Sequence, residues 1–418
     1  MNDRSAWTGG QYSLYRVVFG AYLFVHFAML LPFGTELFSD RGVLADGHVS
    51  PFLTLFPNLF LISDSPGFVT AVLVAGTILA LFFAAGWHDR SAAFCLWIVW
   101  ASLFGRNPLI SNPGLPYVGL LLLIHVGLPS APYGSLAMRG RADPGGGWYM
   151  PRAFQRVAWI LMSVGYSYSG FTKLVSPSWR DGSALRLVLE NPLARPGGLR
   201  HLLLELPDFV LRAMTWGALT FELGFVVFAL LRPLRPLAWA AMLFMHLGLM
   251  LLIDFADLSL GMVMLHLFTF DPAWIRPRRE GSEDVPLEMY YDGECGLCHR
   301  TVRLALAEDP GGETFRYAPL QGPTFSERVN EATRATLADS LILRTSDGRL
   351  FQRSDGVGRI LCALGGVWRI LGQLLLLLPR RLRDGAYDFV ARIRKRLFAK
   401  PPGLCPVLPP ELGRRFDP

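Results

Sequence analysis

The stretch Leu287-Glu-Met-Tyr-Tyr-Asp-Gly-Glu-Cys-Gly-Leu-Cys298 decides how the C-terminal part of this 418-residue chain folds. Its first residues favour a β-strand, Asp-Gly marks a turn, and a helical run begins at the cysteines and continues to about Ala307. A strand, a turn and a Cys-x-x-Cys pair that opens a helix predict a redox-active dithiol. The remaining cysteines, at 95, 362 and 405, are too few and too scattered for a disulfide framework.

The two cysteines of this stretch have different predicted roles. Cys295 falls at the N-terminus of the helix, where free backbone N–H groups and the helix dipole favour a thiolate and so a nucleophile. Cys298 follows one turn later on the same face, where it can resolve a mixed disulfide. The alternative, half of a zinc site, needs two more ligands. His299 is too close to the pair, and Cys362 and Cys405 lack a paired spacing, so no metal is expected.

The residues that follow predict a small sheet with helices on its faces. Strands are predicted at 315–318, 341–344 and 350–353, with a helix at 325–337 and another that Ser354 caps and that runs to about Leu364. This order is that of a thioredoxin-like or glutaredoxin-like α/β domain. We place the domain at 287–412, after a polar linker at 276–286 and before a tail at 413–418.

The same region resembles the DCC family of thiol–disulfide oxidoreductases, which is named for its Asp-x-x-Cys-x-x-Cys motif. That motif is Asp292 to Cys298 here, and further similar segments lie at 317–320, 353–360 and 378–388. The resemblance implies that Cys295 and Cys298 form the catalytic pair. The proline that thioredoxins place before their third strand is absent from 338–343, which leaves the orientation of the substrate disulfide open.

The larger, N-terminal part of the chain has the composition of a membrane protein. The whole sequence is 52% hydrophobic and only 17% charged, and the charge deficit is concentrated before residue 276. A helix of about 20 apolar residues crosses a bilayer. Candidate spans are 14–33, 67–87, 90–104, 113–129, 154–174, 209–231, 237–253 and 258–270. We therefore predict a polytopic all-α membrane domain of about eight helices over residues 1–275.

Basic residues orient this domain. With the N-terminus inside, the cytoplasmic connections hold eleven arginines and the outer connections hold six. The sequence therefore predicts a multi-pass protein of the bacterial inner membrane with a cytoplasmic C-terminal domain. The expected partners are the lipid bilayer and an unidentified thiol or disulfide substrate or reductant, and no nucleic acid.

Several ionisable residues lie inside the candidate spans, and each suggests either function or packing. They are His26, His125, Lys173, Glu222, His246 and His266. For a single histidine the simpler interpretation is a hydrogen-bonded packing residue, although His246 and His266 could share a polar site. Lys173 precedes every other lysine in the chain by more than two hundred residues. A buried lysine can lose its proton and act as a base, whereas a lysine at a helix end can simply extend to the membrane interface.

The surroundings of Lys173 resemble a known membrane family. Residues 168–174 and 179–185, and the ending at 266–274, are similar to the HTTM domain, which is related to the vitamin K-dependent gamma-carboxylase. The resemblance implies that Lys173 is a base acting on a quinone-like ligand. The family's Asn-His-x-Tyr stretch corresponds here to 112–117, which lacks the histidine, and this departure argues against glutamate carboxylation.

Two C-terminal segments remain open to interpretation. Residues 367–378 are very apolar but too short to cross a bilayer, so they either cover the sheet or lie on the membrane surface. Residues 380–400 have a net charge of +6, which suits anionic lipid headgroups, nucleic acid as a second choice, or a plain solvated face.

Three functions follow from these features. The first is a membrane-tethered thiol–disulfide oxidoreductase that is coupled to a quinone-like ligand. The second is a ligand-binding or transport protein that the dithiol domain gates as a redox sensor. The third is a carboxylase-like membrane enzyme that uses Lys173, and a dithiol domain without turnover is a further alternative.

Overall fold

The computed structural model describes residues 5–254, 256–278, 285–398, 403 and 405–418. It divides into two compact units. The first contains Tyr15–Leu128 and Pro151–Phe270, and the second contains Ala6–Leu14, Pro129–Met150 and Asp271–Pro418. The second unit therefore includes one N-terminal and one internal segment besides the C-terminal region that the sequence predicts as a separate domain.

The region before residue 271 is helical. Its helices are α1 Gly9–Leu30, α2 Gly34–Phe38, α3 Pro66–Ala85, α4 Asp89–Arg106, α5 Leu115–Gly127, α6 Arg152–Lys173, α7 Pro177–Arg180, α8 Ala184–Glu190, α9 Gly198–Leu204, α10 Asp208–Leu230, α11 Arg235–Leu252 and α12 Ala256–Thr269. A helix forms at each of the eight predicted spans, with ends that differ by a few residues.

Four of these helical segments are long and apolar enough to cross a membrane. They are Gly9–Phe38, in which α2 continues α1, and the helices α3, α10 and α11. Of the others, α5 and α12 are short, and α4 and α6 carry charged residues. The chain is therefore compatible with a membrane protein, and eight crossings stay a prediction.

Small residues bring the helices of the first unit close together. A Cβ atom on Gly20 of α1 would lie 2.6 Å from the Cβ of Ala84 in α3, and one on Gly170 of α6 would lie 2.7 Å from the backbone nitrogen of Leu223 in α10. The hydroxyl of Ser167 also accepts a hydrogen bond from the backbone N–H of Val226 at 3.1 Å. Such close backbone approach is the usual way in which apolar helices gain packing energy in a membrane.

The ionisable residues predicted inside the spans have partners within the first unit. His26 lies 3.2 Å from Asp257, and His125 lies 3.4 Å from Asp89. These contacts favour the packing interpretation, because a buried polar group is costly unless it is hydrogen-bonded.

The predicted neighbours His246 and His266 do come together. Their ring centroids are 5.9 Å apart, and the Nε2 of His246 lies 2.8 Å from the hydroxyl of Tyr166. The Nδ1 of His266 lies 3.0 Å from the carbonyl of Met262, whereas its Nε2 is buried without a hydrogen-bond partner among the described residues. The pair is thus an aromatic and polar cluster where three helices meet.

A four-stranded mixed sheet forms the centre of the second unit. Its strands are β1 Leu287–Tyr291, β2 Phe315–Pro319, β3 Ile342–Arg344 and β4 Leu350–Gln352. The order is β2-β1-β3-β4, with β1 parallel to β2 and antiparallel to β3, and β3 antiparallel to β4. Because β1 is central and its residues are largely buried, the apolar sequence before the cysteines forms the core of this sheet.

Helices surround the sheet, as the sequence predicts. They are α13 Gly296–Glu308, α14 Pro323–Arg328, α15 Glu331–Thr336, α16 Arg353–Leu364, α17 Gly366–Leu377, α18 Arg380–Leu397 and α19 Pro410–Gly413. The helix predicted at 325–337 is in fact two short helices, α14 and α15, because Asn330 caps a new N-terminus by accepting from the backbone N–H of Thr333.

Two further boundaries differ from the sequence-based expectation. The sequence predicts that Ser354 caps a helix, but α16 begins at Arg353, and the hydroxyl of Ser354 donates to Asp384 instead. Residues 413–418, predicted as a tail, lie against the sheet. The backbone N–H of Tyr317 donates to the carbonyl of Arg415 at 3.0 Å, and Arg316 pairs with Asp417. A terminal strand-like contact of this kind leaves no signal in the local sequence.

The start of α1 belongs to the second unit. The carboxylate of Glu308, at the end of α13, accepts hydrogen bonds from the backbone N–H of Gly10 at 2.7 Å and from the side chains of Thr8 and Trp368. The side-chain oxygen of Gln11 accepts from the backbone N–H of Val367 at 3.0 Å. Burial raises the pKa of the Glu308 carboxyl. The helix that carries the two cysteines thus ends on the N-terminal residues of α1.

The orientation of the second unit is testable through Cys405, because Cys405 is exposed whereas Cys295, Cys298 and Cys362 are buried. In a Cys95→Ser variant, an impermeant maleimide applied to intact cells should leave Cys405 unlabelled and should label it after permeabilisation. Labelling is read by mass spectrometry of the Cys405 peptide. Prompt labelling in sealed cells would place this unit outside and contradict the arginine count.

Candidate active site

The strand, the turn and the helix predicted around the cysteines hold both thiols at one place. β1 ends at Tyr291, and α13 begins at Gly296, with Cys295 in an extended conformation at its N-cap position. Cys298 lies in the first turn of α13, and both cysteines are free thiols. Only 1% of the surface of Cys295 and 5% of that of Cys298 is exposed, so the dithiol lies beneath the protein surface.

The loop between β1 and α13 is held by a hydrogen-bond network around Asp292. Its carboxylate accepts from the side-chain amide of Gln321 at 2.9 Å and from the backbone N–H of Glu294 at 2.9 Å. The oxygen of the Gln321 side chain accepts from the backbone N–H of Gly293 at 3.1 Å. A nitrogen of the His299 ring lies 3.0 Å from the carbonyl of Gly293. The network fixes the path of the chain into the cysteines.

The two thiols are electrostatically unequal. Burial, the nearby Cys295 and a hydrogen bond to it raise the pKa of Cys298. The protonated thiol of Cys298 is thereby favoured, and the two sulfurs share a hydrogen bond. Cys295, at the N-terminal end of α13, is the sulfur on which negative charge is favoured by the helix dipole. The roles in which Cys295 attacks and Cys298 resolves stay a prediction.

A buried cation accompanies the dithiol. Arg394 of α18 is only 3% exposed and interacts electrostatically with both cysteines. Its guanidinium donates to Asp339 at 2.8 Å and lies 3.5 Å from Asp292 of the motif. A fixed positive charge in a low-dielectric site lowers the energy of a thiolate. Arg394 is thus a positioning and charge-stabilising residue for the pair.

The sequence gives little sign of Arg394. It lies inside the basic run 380–400, which by composition suggests a surface, and only its place on the inner face of α18 separates it from its neighbours. Tyr387, two turns earlier on that face, accepts a hydrogen bond from the backbone N–H of Leu341 at 3.2 Å. Helix α18 therefore covers the side of the sheet next to the dithiol. The spacing of seven residues between Tyr387 and Arg394 is the signal that could have indicated the shared face.

A cationic cavity lies along α13, beginning one helical turn after Cys295. Its volume is about 770 Å³, and it is lined by His299 and Arg300 and by the loop around Arg139 and Arg141. Its described lining residues include four arginines and no carboxylate. Because His299 follows Cys295 by one helical turn, an anionic group in this cavity would lie along the same helix face as the nucleophile.

The third predicted catalytic residue, Lys173, lies in the first unit. Its ammonium donates to both carboxylate oxygens of Glu222 and to the hydroxyl of Ser169 at 3.3 Å, and it lies 4.7 Å from the centre of the Trp179 ring. All three N–H donors of the ammonium thereby have hydrogen-bond acceptors. The amine is engaged in an ion pair, and its role as a base stays a prediction. Among the described residues, no cluster of three or more His, Cys, Asp or Glu is arranged to hold a metal ion.

A mixed sheet with a Cys-x-x-Cys pair at the N-terminus of its first helix defines a thiol–disulfide exchange site. Residues 289–400 match the DCC1-like thiol-disulfide oxidoreductase family, which supports a domain of this kind in the C-terminal region. A protein of Bacillus subtilis (strain 168), "Uncharacterized protein YuxK", is 28% identical over 138 residues, which are 33% of this chain and 98% of that protein. No solved structure matches the chain. The match leaves the HTTM resemblance of the first 275 residues as a prediction.

The role of Arg394 predicts a shift in the titration of the dithiol. In Arg394→Gln, the pH midpoint for thiolate formation should rise by about one pH unit, equivalent to about 1.4 kcal/mol, because a nearby positive charge is lost. The midpoint is measured by the ultraviolet absorbance of the thiolate. Arg394→Lys keeps the positive charge and should have a midpoint close to that of the parent protein. Arg392→Gln, on an exposed part of the same helix, should leave the midpoint unchanged. If Arg394→Gln had the same midpoint as Arg394→Lys and Arg392→Gln, the charge-stabilising role of Arg394 would be contradicted.

The ion pair of Lys173 makes a separate prediction. In Lys173→Met the carboxylate of Glu222, which is 3% exposed, loses its partner, so the free energy of unfolding in detergent should fall by about 3 kcal/mol. The double variant Lys173→Met/Glu222→Gln should recover most of the loss, as a double-mutant cycle measures. A Lys173→Met protein that is as stable as the parent would favour a role of Lys173 as a base over a role as a structural ion-pair partner of Glu222.

Proposed function

We propose that this chain is a membrane-tethered thiol–disulfide oxidoreductase in which Cys295 is the nucleophile and Cys298 the resolving thiol. The observation that carries the proposal is the placement of the pair: Cys295 lies at a helix N-terminus with Cys298 one turn later, and the buried Arg394 interacts electrostatically with both. The DCC1-like match at residues 289–400 supports the same chemistry. Four helices of membrane length support the tether.

The reaction transfers two electrons from the dithiol to a substrate disulfide. The Cys295 thiolate attacks one substrate sulfur, the substrate S–S bond breaks, and the first substrate thiolate leaves and takes up a proton. Cys298 then loses its proton and attacks the sulfur of Cys295 in the mixed disulfide. The second substrate thiol leaves, and a Cys295–Cys298 disulfide remains. An external thiol or dithiol then reduces this disulfide back to the dithiol.

Burial of the dithiol sets a condition on this reaction. Because Cys295 is 1% exposed, a substrate sulfur reaches it only when the covering residues move. The covering elements include α18, which contributes Arg394 and Tyr387 to the site. The cationic cavity along α13 suits a disulfide that carries negative charge, and we include an anionic substrate in the proposal.

The same burial favours a second candidate, a redox sensor. Reactive cysteines of turnover enzymes are usually partly exposed. A buried dithiol that is rarely exposed would be oxidised slowly and only once per protein molecule. In that case the membrane unit would be a binding or transport module. Coupling of the dithiol to a quinone-like ligand near Lys173 is a further part of the first proposal, and it depends on the resemblance of that region alone.

Trapping variants test the roles of the two cysteines. Cys295→Ser should reduce exchange with a model disulfide by several orders of magnitude, whereas Cys298→Ser should accumulate a mixed disulfide on Cys295 that mass spectrometry identifies. Glutathione disulfide should react faster than the uncharged hydroxyethyl disulfide if the cavity attracts anions.

Two outcomes would contradict this assignment. A Cys298→Ser variant that forms no adduct, while Cys295→Ser does, would reverse the roles. A parent protein that consumes a single equivalent of disulfide, even with excess reductant, would favour the sensor.

A further inference from the structure

Helix α18 packs its polar face onto the domain and leaves its apolar face exposed. The side chains that pack onto the domain are polar: Arg383 donates to Asp355 at 2.8 Å, Tyr387 accepts from Leu341, and Arg394 contacts Asp339. In a helix that only covers a soluble domain, the apolar face is the buried one. Here ion pairs hold the inner face of α18, and they leave the apolar residues on the outside.

The outward apolar residues form one stripe, which we call the outer stripe and define as Leu382, Phe389, Val390 and Leu397. Their exposed fractions are 64%, 57%, 43% and 67%. Steps of seven, eight and fifteen residues from Leu382 place all four on one side of a helix with about 100° per residue. The chain just before α18 adds further exposed leucines, at 374, 377 and 378.

Positive charge accompanies the outer stripe. Arg381, Arg392 and Arg396 are exposed, and at the same rotation per residue they fall along one edge of it. An apolar stripe bordered by arginines is typical of a helix that lies in the plane of a bilayer, with its apolar side chains below the headgroups and its cations among them. Each such cation also attracts anionic lipid.

We propose that the outer stripe of α18 lies in the interface of an anionic lipid bilayer. The four segments of membrane length are compatible with a bilayer as the neighbour of this chain. A second copy of the same surface would bring the two rows of arginines together, and these like charges would repel. Nucleic acid would use the arginines but leave the apolar side chains in water.

The proposal connects the bilayer to the dithiol. At about 100° per residue, Phe389 of the outer stripe lies about 140° around the helix from Arg394, so the lipid contact holds in place the element that covers Cys295 and Cys298. This connection does not depend on turnover, because it concerns where α18 lies and not what the thiols react with.

Photocrosslinking of the full-length protein tests the proposal. A benzophenone amino acid is placed at Phe389, or at the exposed Ser326 of α14 as a control, and the protein is reconstituted in nanodiscs of phosphatidylcholine with or without phosphatidylglycerol. After illumination, mass spectrometry identifies the adducts. Lipid adducts should be several-fold more abundant at position 389 than at position 326, and they should increase with the anionic lipid.

A charge variant provides the second arm. Arg381→Gln/Arg392→Gln/Arg396→Gln should lower the lipid adducts at position 389 several-fold in anionic nanodiscs and remove their dependence on phosphatidylglycerol, while circular dichroism shows that the protein stays folded. Equal lipid adducts at 389 and 326, or adducts at 389 that join two protein copies or two segments of one chain, would overturn the proposal.

Discussion

The burial of a dithiol next to a cation is the constraint on which the C-terminal unit depends. A buried arginine is costly unless carboxylates and hydrogen bonds surround it. Arg394 is paired with Asp339 and lies near Asp292, and Asp292 in turn holds Gln321 and the loop before Cys295. The chain thus organises the approach to its cysteines around one positive charge, which interacts electrostatically with both sulfurs.

Helix α18 joins this chemistry to the surface of the unit. Its inner face is polar because it serves the dithiol and pairs with α16, through Arg383 and Asp355. Its apolar residues are consequently left on the outside. Helix α18 then both covers the thiols and contacts lipid, and exposure of the thiols to a substrate involves the same helix.

The first unit follows a different rule, because its polar residues are satisfied mainly by one another. Lys173 pairs with Glu222, His26 with Asp257, and His246 with Tyr166. The residues that draw attention to this region in the sequence therefore serve first to join helices in apolar surroundings. The His246–His266 cluster keeps one unpartnered nitrogen among the described residues, and a polar ligand group there would find a hydrogen-bond partner.

By itself, the sequence determined the apolar helical segments, the strand–turn–helix around the cysteines and the succession of strands and helices along the C-terminal region. These depend on local periodicity and on turn residues, which a single chain displays directly. Only the tertiary structure decided that Cys295 is buried, that Arg394 lies beside it, that Glu308 binds the start of α1 and that residues 413–418 join the sheet. Each of these pairs residues that are distant in the chain, and local patterns carry no information about which distant groups share a low-dielectric site.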